Sequence, residues 1–191
     1  MLSWKDHINT LINNLSSLIG IMYRRNYLLP PACKRNVYFA LVYSKLVYGI
    51  EVYAYTYISH LKPLIVKCNS LLRVLQNSKR TARNKDLYIN YSTLPVDKLF
   101  NLHVMKLMHN CLYNDSTIPK VICNLFKTGH DIHSYFTRSS RMFFIGDSVS
   151  RKSIQYLGPL LWSKLPYYLR TCPSTHKFLK DYKLHLTNQL E

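Results

Sequence analysis

Lys5-Asp6-His7-Ile8-Asn9-Thr10-Leu11-Ile12-Asn13-Asn14-Leu15-Ser16-Ser17-Leu18-Ile19-Gly20-Ile21-Met22 carries the pattern that decides the fold. Ile8, Leu11, Ile12, Leu15, Leu18, Ile19 and Met22 recur at the three- and four-residue spacings of one helical face. Asn9, Thr10, Asn13, Asn14, Ser16 and Ser17 fill the opposite, wet face. Ser3 followed by Asp6 resembles a capping box with Asp in place of the usual Glu. Arg24-Arg25 close the last turn, where the helix dipole favours cations. The segment predicts an amphipathic helix.

A later segment repeats the arithmetic. Leu61, Leu64, Ile65, Cys68, Leu71, Leu72 and Leu75 hold the same offsets, with Pro63 tolerated in the first turn. Its wet face is basic, with Lys62, Lys67 and Arg73. Between the two, Pro30-Pro31 ends one element and starts another from about Ala32. That helix is apolar nearly all round after Val37, which predicts a central position. Gly49 bends or breaks it, and residues 50 to 57 alternate well enough to suit a short strand.

Residues 79 to 92 lose periodicity and hold Lys79, Arg80, Arg83 and Lys85, which predicts a basic linker. A helix after Pro95 would bury Val96, Leu99, Phe100, Leu107, Met108 and Cys111, and Asn114 to Ser116 would end it. A short helix at 118 to 126, a short strand at 142 to 145 and a helical turn at 160 to 165 follow. Ser174 or Thr175 caps a last helix that displays Phe178, Leu179, Tyr182, Leu184 and Leu186. The predicted fold is mainly α: a helical bundle over 1–78, the linker over 79–92, and a smaller helical or irregular region with short strands over 93–191.

Composition bounds the function. Among 191 residues, 26 Lys+Arg face 9 Asp+Glu, a net charge of +17 that arises because acids are scarce. This excludes a calcium cage or an acid-rich ligand site and points to a polyanion, most simply nucleic acid. Five glycines argue against a Gly-rich phosphate cradle. The cysteines, Cys33, Cys68, Cys111, Cys123 and Cys172, are odd in number and form no CxxC. They predict reduced, mostly buried thiols in an intracellular protein, nuclear or cytoplasmic and not secreted. The opening residues show no signal-peptide pattern. Val37 to Ile58 is long enough to span a membrane, but Lys45 and Glu51 near its centre would be costly there, so no membrane role is expected.

Catalytic motifs are missing. Two-metal phosphoryl transfer needs convergent carboxylates, and the seven aspartates are scattered. P-loop, His-Glu-x-x-His and Gly-x-Ser-x-Gly signatures are absent. His103, His109, Cys111, Cys123, His130 and His133 crowd one stretch, but their spacing fits no closed zinc template. The expectation there is thiols on apolar helix faces and histidines on surfaces, with no metal and no cofactor. Basic clusters are the informative feature. Lys79, Arg80, Arg83 and Lys85 form one. Tyr135-Phe136-Thr137-Arg138-Ser139-Ser140-Arg141 form a second, with Arg151 and Lys152 behind. Basic side chains neutralise phosphates and aromatic rings stack on unpaired bases, so these eight basic residues are the candidate contacts to RNA or DNA.

Two blocks carry a resemblance. The first is Tyr135-x-Thr137-Arg138, then Ser153-Ile154-x-Tyr156-x-Gly158-Pro159-x-x-Trp162-Ser163-x-Leu165-Pro166, then Phe178 and Lys180. The second is Trp4-x-x-His7-Ile8, then Tyr43, Leu46-x-Tyr48-Gly49 and Leu71-Leu72-Arg73. Together they resemble the thumb and C-terminal end of reverse transcriptases from non-LTR (LINE-type) retrotransposons, with Ser163 where that family usually has Asn. The resemblance covers nearly the whole chain and implies a helical thumb-like region, then a mostly helical tail that contacts template RNA and target DNA. It also implies that fingers, palm and the Ala-Asp-Asp metal box with its Mg²⁺ would lie ahead of Trp4. No catalytic residue is carried over, because no position here matches one. The expectation is therefore a nucleic-acid-binding C-terminal fragment of an RNA-directed DNA polymerase, inactive alone, with the palm and fingers as a further partner. A domesticated or unrelated basic helical RNA- or DNA-binding module is the first alternative. A helical domain that binds an acidic protein is the second.

Overall fold

The computed structural model describes residues 4–54, 56–114, 118–129, 142–145 and 153–190. They are mainly α-helical, and their β structure is an isolated antiparallel bridge between Thr128 and Phe143. The strand expected at 142 to 145 is reduced to that bridge. The chain forms two compact units, residues 1–100 with 189–191, and residues 101–188.

In the first unit, α1 (Lys5–Arg25) buries Ile8, Leu11, Leu15 and Met22. It packs along α5 (Ile58–Leu75), which buries Leu61, Leu64, Cys68, Leu71, Leu72 and Leu75. Each such side chain contributes about 1.5–3 kcal/mol when fully removed from water. Trp4 occupies the N-cap position of α1 and its side chain makes no capping bond there; Ser3 of the expected capping box lies outside the described residues. At the other end α1 gives way to a 3₁₀ turn, Asn26–Leu28. The buried Asn26 amide donates to the Val74 carbonyl and to Asn77 Oδ1, tying this turn to the end of α5. Helix α5 itself stops in a Schellman motif. Asn77 takes the left-handed conformation (φ 51°), its N–H bonds to Val74 O at 3.2 Å, and Ser78 N–H bonds to Arg73 O at 2.9 Å.

The segment after Pro30 differs from its sequence reading. It runs as α2 (Pro31–Tyr38), a π-helical turn (Phe39–Tyr43), α3 (Ser44–Val47) and α4 (Ile50–Tyr53). One face is buried, through Tyr38, Val42, Leu46, Ile50 and Tyr53, while Leu41, Tyr48 and Val52 are exposed. The helix is one-sided rather than central. Residues 50 to 53 are helical because Gly49, at φ 66°, turns the chain into a new helical start, and Tyr53 Oη closes the corner by donating to Leu46 O. Residues 79 to 92 also hold more structure than a linker needs: α6 (Asn84–Asn90) buries Leu87 and Tyr88, and Gln76 Nε2 donates to Leu87 O at 2.8 Å.

The second unit takes the body of α7 (Val96–Tyr113), then α8 (Lys120–Cys123), α9 (Ile154–Ser163), α10 (Tyr167–Arg170) and α11 (Thr175–Asn188). Helix α9 starts well ahead of the turn expected at 160, because Ser153 Oγ caps it by accepting from Gln155 N–H at 3.2 Å. The core gathers Met105, Met108, Phe126, Phe143, Trp162, Leu169, Phe178 and Tyr182. His109 lies among them at 0% exposure, not on a surface as the sequence suggested. Its ring stacks on Phe178 at 4.5 Å, and Nε2 lies 2.7 Å from the Cys172 carbonyl, to which a neutral ring donates. Burial lowers the His109 pKa below the ordinary histidine value, and the Cys172 contact opposes that shift.

Because the pKa of His109 is lowered on folding, the unfolded chain binds its proton first as pH falls. Stability of the second unit should therefore decline as pH drops below about 6.5. His109→Gln should flatten that part of the profile, as followed by thermal melts between pH 7.5 and 5. Two glycines give a second test. A Cβ on Gly158 would sit 2.6 Å from the Met108 sulfur, whereas one on Gly20 meets nothing within 4 Å. Alanine favours a helix over glycine by up to about 1 kcal/mol, and overpacking a core costs about 1–3 kcal/mol. Gly20→Ala should raise the urea midpoint and Gly158→Ala should lower it.

Candidate nucleic-acid interface

The basic cluster at 79 to 85 belongs to the first unit, whose residues 1–100 hold fourteen Lys+Arg against four acids. Lys79, Arg80 and Arg83 are exposed and Lys85 is half-buried at the start of α6. The turn that carries them is held from beneath by Arg73 of α5. Its guanidinium donates to Asn84 Oδ1 at 2.6 Å and to Ala82 O at 3.4 Å. Ala82 N–H in turn bonds to Lys79 O at 3.0 Å. Arg73 thus braces the turn through one end of its guanidinium, while Lys79, Arg80 and Arg83 face solvent.

Arg73 and Arg80 take part in lining a groove of about 800 Å³. Tyr23 and Tyr27 line the same groove, with Val66, Ser70 and Val74 of α5. Both tyrosines are 79% exposed, and Arg24 and Arg25 between them are exposed as well. Sequence reasoning passed over these rings. The signal was present in Tyr23-Arg24-Arg25-Asn26-Tyr27, an aromatic–basic alternation at a helix end. Asn26 fixes where that end lies, because its amide is bonded to the terminus of α5. The arrangement brings cations that can neutralise phosphates and flat rings that can stack on bases into one groove.

The motif residues take structural positions. Trp4 meets His7 edge-on at 6.4 Å, and His7 lies 5.0 Å from Tyr53, beside the corner that Gly49 makes. Tyr48 precedes that corner and is exposed. In the second unit Gly158 admits Met108, Pro159 is buried beside it, and Trp162 is 1% exposed with Phe143 and Phe178 at 5.8 Å. Leu165 is buried and Pro166 supplies the N-cap of α10. Arg138, Arg141, Arg151 and Lys152 lie outside the described residues, as do His130 and His133. Among the described residues no three His, Cys, Asp or Glu side chains converge as a metal site, and no helix is long and apolar enough to cross a membrane.

Comparison of the chain with protein-family models, with curated proteins and with solved structures gave no match.

If Arg73 holds the 79–84 turn, Arg73→Leu should free it while leaving the buried face of α5 intact. Hydrogen bonds from a charged donor contribute about 1.5–3 kcal/mol, so exchange of the Ala82 amide should accelerate at least about tenfold. Amide exchange read by NMR or mass spectrometry checks this.

Proposed function

We propose that the groove of the first unit binds single-stranded RNA or DNA without strong sequence preference. In this reading the chain is the nucleic-acid-binding C-terminal part of a retrotransposon-type reverse transcriptase. Polymerase chemistry and its Mg²⁺ belong to the palm, and residues 1–191 contribute binding alone. The observation that carries the reading is that exposed Tyr23 and Tyr27 line one groove together with Arg73 and Arg80, in a unit where Lys and Arg outnumber acids so heavily. Rings that open to water beside cations offer unpaired bases both a stacking face and a neutralised backbone.

Titration of a labelled single-stranded oligonucleotide at several salt concentrations tests it. Log affinity should fall against log salt by about 0.7 per phosphate neutralised on a single strand. Replacing Lys79, Arg80, Arg83 and Lys85 by Ala should flatten that slope by up to roughly three units. Tyr23→Leu with Tyr27→Leu should leave the slope alone and weaken binding by about 1–3 kcal/mol per base lost from a ring. Circular dichroism should show unchanged helicity in both variants. An unchanged slope and affinity in both would remove the groove from the nucleic-acid path. Retention of polyglutamate with no oligonucleotide binding would assign the basic surface to an acidic protein instead.

A further inference from the structure

We propose that Cys111 and Cys123 are a reversible dithiol–disulfide pair, oxidised by a glutathione-type disulfide. The inference is independent of nucleic-acid binding. The two residues stand twelve positions apart in the chain, on the last turns of α7 and of α8, and their sulfurs lie 3.1 Å from each other. A disulfide bond is about 2.05 Å long, so roughly one ångström of closure joins them. Both thiols are partly exposed and within reach of a small reagent. Helix α8 is a single turn whose Val121, Ile122 and neighbouring Leu125 are open to solvent, so few buried contacts resist the shift. The other cysteines lack this geometry. Cys33 is exposed, while Cys68 is buried in the first unit with its thiol pushed up to about 12. Cys172 is buried and its thiol donates to the Ser174 carbonyl at 3.6 Å.

The chemistry balances through two exchanges. One cysteine loses its proton to water, and its thiolate attacks a sulfur of the oxidised reagent. The reagent's S–S bond breaks, a mixed disulfide forms, and one reduced thiol leaves with a proton. The second cysteine, likewise deprotonated, attacks the protein sulfur of the mixed disulfide, which forms the Cys111–Cys123 bond and releases a second reduced thiol. Two protein thiols are oxidised and one reagent disulfide is reduced. In a reducing compartment such a bond is transient and reports the redox poise rather than holding the fold.

The test uses the full chain in oxidised and reduced glutathione at graded ratios, quenched with acid, alkylated and digested with trypsin. Cleavage after Lys106, Lys120 and Lys127 leaves Cys111 and Cys123 on separate peptides, 107–120 and 121–127. Mass spectrometry should find these two peptides joined at the mildest ratio that modifies any cysteine, while the peptide of Cys33 carries alkyl or a glutathione adduct. Cys123→Ser should instead trap glutathione on Cys111, because the resolving thiol is gone. The same exchange in guanidinium should lose its preference for this pair. Separate adducts on Cys111 and Cys123 in the native protein, or equal linkage in the unfolded chain, would overturn the proposal. So would resistance to oxidation that a chelator lifts, which would assign the pair to a metal ion.

Discussion

Leu11 and Leu15 of α1 leave water only because other elements lie alongside, α5 foremost, since a lone helix exposes every side chain it carries. The same holds for Leu64, Leu71 and Leu72 in return, so each helix is the other's condition for folding. At about 1.5–3 kcal/mol per buried aliphatic side chain, this mutual burial outweighs any intrinsic helix preference of either segment. Asn26 then converts contact into register. An apolar stripe lets two helices slide by a turn with modest loss, but a buried amide that must find the Val74 carbonyl and Asn77 does not. The lower end of the seam is thus fixed, and with it the place where the chain after Asn77 turns toward Arg80.

The second unit solves a different problem. Its middle contains a histidine, an intrinsically wet group, enclosed by Tyr113, Trp162 and Phe178. One ring nitrogen is answered by the Cys172 carbonyl, and the other faces the Thr175 hydroxyl at 3.3 Å. The one Thr175 hydroxyl proton lies between that nitrogen and Asn110 Oδ1, which is 3.1 Å away, and the hydroxyl oxygen accepts from the Asn114 amide. A polar string therefore runs through an aromatic core and joins α7 to the start of α11. Dispersion among the rings accepts many arrangements; the directional bonds leave one.

How much of this was legible follows from periodicity. Helices α1 and α5 were read correctly because seven apolar positions in each repeat one spacing over several turns. Helix α6 was not, because in seven residues only Leu87 and Tyr88 point inward, and Arg80, Arg83 and Lys85 around it mimic a loop. Residues 50 to 57 alternate in type, and Ile50–Tyr53 still fold as a helical turn. The left-handed Gly49 sets the direction there, and Tyr53 is used to close the corner rather than to pair with a strand. The basic cluster was found from composition alone. Its partner rings were not, since a tyrosine at a helix end reads equally well as core until its exposure is seen. Arg73 looked like one more surface cation, and its part as a brace depends on Asn84, eleven residues on, which no local pattern announces. The tail cluster at 138 to 152 stays a sequence-level proposal.

The π turn at Phe39–Tyr43 has a consequence for how this chain can change length. Tyr38, Val42 and Leu46 are spaced by fours, and in an α-helix, at 3.6 residues per turn, such a series drifts around the axis by about 40° a step. The wider turn takes up the drift, and all three stay buried. It therefore stores a surplus of about one residue inside an otherwise ordinary helix. Loss of a single codon between 39 and 43 would be absorbed by reversion to α geometry, with Leu46 and everything beyond it kept in phase. The same loss elsewhere in the helix would have no such reserve. This short stretch is the point at which heredity can shorten the helix without rephasing the corner at Gly49.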